Sequence, residues 1–166
     1  MPCTLLLSPT PLADAESRAL RVLLSDPEVA LPLFGGSADA ARIDRYLQRY
    51  RPEALFEEDR YALALGAHAA VLGAASIVDG ALSFVVAPSC WGRGIGRELV
   101  DALCAESPGE PASQCLSALV YRENARSRRL LESAGFAFGG LLHAGVDAYA
   151  GRAMLRYERQ APSAPA

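Results

Sequence analysis

The chain has 166 residues, 51% hydrophobic and 21% charged, which is enough for one folded unit with a sizeable buried core. Its net charge of −3 gives no basic field to draw nucleic acid or an anionic membrane, and no apolar run approaches the ~20 residues of a membrane span. All 16 basic residues are arginine, so an anion bound here is held by arginine or by backbone.

The N-terminal residues lack the basic start and long apolar run of a secretory signal. The cysteines, Cys3, Cys90, Cys104 and Cys115, fit neither a metal knuckle nor a compact disulfide framework. A reducing cytoplasm is the expected location, with Cys104 and Cys115 read as small core residues and no metal expected.

In chain order, residues 4–8 form a short apolar strand closed by a proline-bearing turn. Residues 14–24 place Ala15, Ala19, Val22 and Leu23 on one side and Glu16, Arg18 and Arg21 on the other, a helical stripe. Ser25-Asp26-Pro27 breaks it, and Gly35-Gly36 is a second break. Ser37 is read as the cap of a helix over 38–50, with Ile43, Tyr46, Leu47 and Tyr50 on one side and Pro52 as its stop. From Tyr61 the period changes. Residues 61–65, 70–78 and 81–87 read as three antiparallel strands, turned at Gly66-Ala67-His68 and at Asp79-Gly80, a pair that tolerates positive φ. His68 is expected at the surface.

A second helical stripe follows at Ile95, Leu99, Val100, Leu103 and Cys104, then a loop at 107–111 and a strand at 115–121. A helix over 125–134, stopped by Gly135, leads to strands at 136–143 and 153–157 around a turn at Gly151. The pattern predicts a single α+β domain over 4–158, with about four helices on its sheet, and a frayed tail at 159–166.

Residues 85–96 carry the chemistry: Val-Val-Ala-Pro-Ser-Cys-Trp-Gly-Arg-Gly-Ile-Gly, running directly into a helix. Glycine lets successive amides turn toward one point without a Cβ in the way. Those amides are also the unsatisfied donors at the positive end of a helix dipole, so together they make a pyrophosphate cradle. A Walker loop needs a lysine, and the chain has none. The dinucleotide fingerprint needs G-x-G-x-x-G in a βαβ unit, whereas the spacing here is Gly92-x-Gly94-x-Gly96 after antiparallel strands. The bland alternative is a glycine turn that merely lets helix and strand pack closely.

A second block runs Tyr121-Arg122-Glu123-Asn124-Ala125-Arg126-Ser127 and on to Gly135-Phe136. Asn124 is a good N-cap, Ser127 lies one turn into the helix, and Gly135 suits a left-handed C-cap. The two blocks, with a helix and a strand between them, resemble the GNAT superfamily of N-acetyltransferases, whose acetyl-CoA loop follows Q/R-x-x-G-x-G/A. Trp91 to Gly96 match except at the first position. Tryptophan there is similar to the RimJ/RimL branch, which acetylates protein N-terminal amines, and Leu24-Ser25-Asp26-Pro27-Glu28-Val29 resembles a phrase of the same branch. The resemblance spans residues 4–158.

The resemblance implies a GNAT (acyl-CoA N-acyltransferase) fold with a mixed, mostly antiparallel sheet, and acetyl-CoA as co-substrate. Val85, Val86 and Ala87 would hold pantetheine, and the amides of Trp91, Gly92, Arg93, Gly94, Ile95 and Gly96 the pyrophosphate, with Asn124 and Ser127 beside the cofactor. The Val86 amide would polarise the thioester carbonyl. Many members place a tyrosine four residues before the Gly-Phe pair to protonate the thiolate. Here that position is Leu131, so Ser127 is the implied donor, with Asn124 beside it. The Glu-Gly of RimL-like chains becomes Gly139-Gly140, which leaves His143 as a candidate base and Glu53, Glu57, Glu58 and Asp147 as others. Tyr121 would line the pantetheine channel, and the 38–50 helix would wall the acceptor cleft. The expected partners are acetyl-CoA and a primary amine, on a protein N-terminus or a small molecule, with no nucleic acid or membrane, in a monomer or homodimer. The competing reading is a catalytically silent CoA-binding sensor.

Overall fold

The computed structural model describes residues 4–8, 12–50, 59–105, 115–143 and 152–160. Seven strands form one sheet: β1 (Thr4–Ser8), β2 (Arg60–Leu65), β3 (Val71–Val78), β4 (Ala81–Val86), β5 (Leu116–Tyr121), β6 (Ala137–His143) and β7 (Ala153–Arg159). Among the described residues five helices cover it: α1 (Asp14–Ser25), α2 (Pro27–Phe34), α3 (Ala40–Leu47), α4 (Ile95–Ala105) and α5 (Ala125–Ser133). The sheet order is β1-β2-β3-β4-β5-β7-β6. Every neighbouring pair is antiparallel except β4 with β5.

The helix count exceeds the expected four because Ser25-Asp26-Pro27 is a junction and not only a stop. The Asp26 carboxylate accepts from the Glu28 amide at 2.8 Å, and Pro27 fills the first helical position, where its missing N–H costs nothing. The letters that end α1 therefore start α2, which closes at Gly35 with φ +77°. The cap of α3 is Asp39 rather than Ser37, its carboxylate accepting from the Arg42 amide at 2.8 Å. The chain then tightens into a 3-10 turn at Gln48–Tyr50, and Pro52 lies outside the described residues. The β3–β4 hairpin turns on Asp79 (φ +49°) and Gly80 (φ +69°), as the Asp-Gly pair predicts. His68 is exposed in a 3-10 turn between β2 and β3.

Each sheet face has its own core. On one, Leu99, Val100 and Leu103 of α4 and Leu131 of α5 pack on Ala75, Leu82, Ala118, Val120 and Tyr157. On the other, Leu20 and Leu24 of α1, Val29 of α2, and Ile43 and Leu47 of α3 pack on Tyr61, Leu63, Ala74 and Val85. Full burial of each such aliphatic side chain stabilises the fold by about 1.5–3 kcal/mol. Gly73 of β3 brings α4 close to the sheet: a Cβ there would stand 2.9 Å from the Val85 carbonyl and 3.0 Å from Leu99 Cδ1. Cys104 is half-buried, as a core-flanking residue should be. Cys115 is exposed, contrary to expectation, because it precedes the first paired residue of β5.

The feature that positions a site is a fork in the sheet. Strands β4 and β5 pair only at Ala81–Ser117 and Leu82–Ala118, and beyond these residues they part.

Candidate active site

The register of β4 dictates what lines the fork. Val86 pairs with Gly73, and the Ala87 amide bonds the Leu72 carbonyl at 2.8 Å. Antiparallel alternation then turns the Val85 and Ser83 backbone groups toward β3, and those of Phe84 and Val86 toward the gap. A strand edge with open donors and acceptors is a template for any extended, amide-bearing chain.

A cleft of about 380 Å³ fills this fork. It is bounded by β4 and β5, by the glycine turn, by the first turns of α4 and α5, and by α2 on the opposite sheet face. The cleft is therefore lined from both faces of the sheet. Its β4 end leads to the glycine turn, where Gly92 (φ +76°) and Gly94 (φ +84°) adopt conformations that L side chains rarely take. A Cβ at either would meet nothing within 4 Å, so this surface is open to a ligand. Gly96 differs: its Cβ would stand 2.6 Å from Leu130 Cδ1, so glycine there lets α5 approach α4.

The turn engages some of its own amides. Trp91 N–H donates to the Pro88 carbonyl at 3.2 Å and Arg93 N–H to the Cys90 carbonyl at 3.4 Å. The first bond of α4 runs from Glu98 N–H to the Gly94 carbonyl at 3.0 Å, so helix geometry leaves the amides of Gly94, Ile95, Gly96 and Arg97 to meet an anion.

Trp91 swings back over the strand. Its indole Nε1 donates to the Val86 carbonyl at 2.9 Å, and the Arg126 guanidinium lies 3.7 Å above its ring. The pair joins the glycine turn to α5 across the cleft mouth. On α5 the Asn124 side chain accepts from the Ser127 amide at 3.1 Å, as the N-cap reading requires, and both residues line the cleft. Gly135 closes α5 at φ +84°. Leu131 is 1% exposed and also lines the cleft.

On the far face, the Ser83 and Tyr46 hydroxyls lie 2.8 Å apart, and Ser83 lines the cleft. Burial pushes the Tyr46 phenol up, partly countered by its bond to Ser83 and by the nearby Arg49 charge. Tyr50 is raised further, again chiefly by burial.

The sequence matches the acetyltransferase (GNAT) domain over residues 4–137. The chain belongs to the GNAT acetyltransferase family. Its seven-stranded mixed sheet and five helices are the GNAT fold. No curated protein sequence matches it. Among solved structures it is similar to the putative acetyltransferase yncA of Salmonella typhimurium with acetyl-CoA, at 21% identity and TM-score 0.72 over 100% of this chain and 98% of that one. It is similar to the ribosomal-protein-S5-alanine acetyltransferase of Vibrio fischeri at 14% identity and TM-score 0.71, covering 99% and 96% of the two chains. The spermidine N-acetyltransferase of Vibrio cholerae, in complex with CoA and spermine, aligns at 17% identity and TM-score 0.70 over 93% and 94%. At these identities the likeness is one of fold, and it does not single out the RimJ/RimL branch.

Set in this GNAT fold, the predicted positions divide. Val85, Val86, Trp91, Gly92, Gly94, Ile95, Gly96, Asn124 and Ser127 line the cleft. Ala87 is tied to β3, and Arg93 is exposed on the turn; neither is among the lining residues. His143 ends β6, opposite Ala153 and with β7 intervening before β5. Gly139 lies on the same outer strand, where a Cβ would stand 3.0 Å from Glu158 Cδ. Tyr121 is buried beneath the Arg152 guanidinium, 4.6 Å away, rather than lining the cleft. Glu53, Glu57, Glu58, Asp147 and Gly151 lie outside the described residues. The sequence reading missed Ser83, the α2 side chains, and the clasp role of Arg126. No spacing rule singles out a serine in an alternating strand, and Arg126 looked like any solvated helix residue.

Among the described residues no group of three or more His, Cys, Asp or Glu could hold a metal ion. No helix among them is long and apolar enough to cross a membrane.

Proposed function

We propose that this GNAT domain transfers an acetyl group from acetyl-CoA to a primary amine by direct attack on the thioester. The observation that carries the reading is the fork between β4 and β5, which opens onto a glycine turn and a helix N-terminus. A pyrophosphate fits the amides of residues 94–97, and an amide-bearing arm fits the exposed edge at Phe84 and Val86. Trp91 occupies one lone pair of the Val86 carbonyl, and we assign polarisation of the thioester carbonyl to the Phe84 N–H, the gap-facing amide deeper along this edge, in place of the Val86 N–H that the resemblance implies.

Attack forms the C–N bond and breaks the C–S bond. The amine nitrogen gives up a proton to solvent, and the departing thiolate needs one. Ser127 and Ser133 of α5 both line the cleft; Ser133 Oγ donates to the Leu130 carbonyl at 2.8 Å, and we assign the donation to Ser127. Asn124 holds the helix start that aims it. Bringing two reactants together in one cleft supplies much of the rate by itself. The match of Trp91 and of residues 24–29 to the RimJ/RimL pattern supports a protein N-terminal amine as one acceptor class.

A second reading rests on Leu131, an apolar and buried residue where many members keep a tyrosine. It makes the domain a CoA-binding sensor without turnover. Incubation with acetyl-CoA and a panel of amines and N-terminal peptides, read by a thiol-detecting dye, separates the two. Thiol release that depends on the amine is the expected result. Tight CoA binding without release across the panel would establish the sensor.

A further inference from the structure

The same fork defines which molecule can approach from the other face, provided that the domain is the transferase proposed for it. The donor arm enters from the glycine turn, which follows β4. The gap narrows back along β4 until the Leu82–Ala118 pair closes it. From Val86 to Ser83 the edge runs about 10 Å. A thioester arm laid along it ends beside Ser83 and Leu119, the first residues beyond the last β4–β5 pair.

Both of these side chains face away from α4 and α5. Ala118 and Val120 belong to the core beneath those helices, so alternation puts Leu119 on the opposite face. Ser83 shares that face, because its hydroxyl meets Tyr46 of α3. There the cleft wall is Val29, Pro32 and Leu33 of α2, with Val85 and Met154. Among these described residues Ser83 is the polar exception, and it stands where the thioester ends.

We infer that the acceptor is a primary amine on an apolar body, seated against α2, and that the Ser83 hydroxyl, fixed by Tyr46, orients the attacking nitrogen. A neutral amine has two N–H donors and one lone pair. A hydroxyl oxygen that accepts one N–H fixes the nitrogen and leaves its lone pair directed at the carbonyl carbon. Tyr46 is suited to hold the serine, because burial keeps its phenol protonated as a donor. Among the described residues, Arg49 lies close enough for its charge to act on the Tyr46 phenol, and it donates to Ser76 Oγ at 3.1 Å and to the Ala81 carbonyl at 2.8 Å. A polyamine would set a second ammonium against aliphatic side chains and near that guanidinium, and an unpaired charge so desolvated is costly. Ser83 is a positioning residue for the amine, and α2 selects the body that carries it.

The test compares isoamylamine and 2-phenylethylamine with spermidine, in steady-state turnover at saturating acetyl-CoA and in calorimetric binding to the protein–CoA complex. The expected result is a preference for the apolar amines of about tenfold or more in kcat/KM. Ser83→Ala should lower kcat/KM for the amine about tenfold while the KM for acetyl-CoA stays within about twofold. Tyr46→Phe should give a smaller loss of the same kind, and Leu33→Glu should shift preference toward spermidine. Equal use of spermidine by the wild type, unchanged amine kinetics and binding in Ser83→Ala, or no binding of any amine would each overturn the inference. Apolar amines that bind in a Ser83-dependent way without turnover would sustain it and instead remove the transferase reading. CoA binding and thermal unfolding of each variant show whether the fold is intact.

Discussion

At the scale of single residues, three glycines of one turn carry two different duties. Gly92 and Gly94 supply positive φ at an open surface, whereas Gly96 supplies room for Leu130. Gly94→Glu should therefore cost only about 1–2 kcal/mol of stability, the penalty of a left-handed L residue, yet lower CoA affinity by about 100-fold. Calorimetry with CoA, alongside denaturant unfolding, checks both numbers; retained affinity would remove the cradle from this turn. Ser127 allows a cleaner separation. Only its amide takes part in the cap, so Ser127→Ala should leave α5 and acetyl-CoA affinity intact while kcat falls about tenfold. An unchanged kcat would restrict Ser127 to its structural place in α5.

At the scale of elements, α2 matters most, because its side chains wall the cleft on the face proposed for the acceptor. Its start depends on the Asp26 cap, so Asp26→Ala should destabilise the protein by about 1 kcal/mol. It should also raise the KM for the amine more than that for acetyl-CoA, since α4 and α5 do not depend on that cap. Thermal unfolding and two-substrate kinetics read these effects separately. The same helix marks where the sequence was hard to read. An Asp-Pro pair after an amphipathic run is a valid stop and an equally valid start, and only tertiary packing of Val29 and Ala30 chooses the second. The Asp79-Gly80 turn, the glycine turn and the Asn124-to-Gly135 helix were legible because each demands a local conformation that few residues can adopt. Ser83 and Met154 were not, because their roles arise when distant strands part. Cys115 was misread because the strand begins one residue later, at Leu116, whose alternation buries Leu116, Ala118 and Val120 and leaves Cys115 in solvent.

At the scale of the whole molecule, the core on the α1–α3 face couples stability to alkali. Tyr46 and Tyr50 on the α1–α3 side both have phenols held above their ordinary value of 10.0, mainly by burial. A raised folded-state value means that the native protein binds these protons more tightly than the unfolded chain. The resulting stability is complete below pH 10 and is lost as pH rises through the folded values. Unfolding midpoints should thus fall above pH 10, and Tyr46→Phe should flatten the decline. A slope identical in the variant would assign the alkaline transition to other groups. Trp91, finally, is the single tryptophan of the chain, anchored to Val86 and capped by Arg126 where the cleft opens. The protein thus carries its own optical reporter. Rapid mixing with CoA should change the ultraviolet emission at a rate that climbs with CoA concentration, so cofactor loading can be timed without a label and before any acyl group moves.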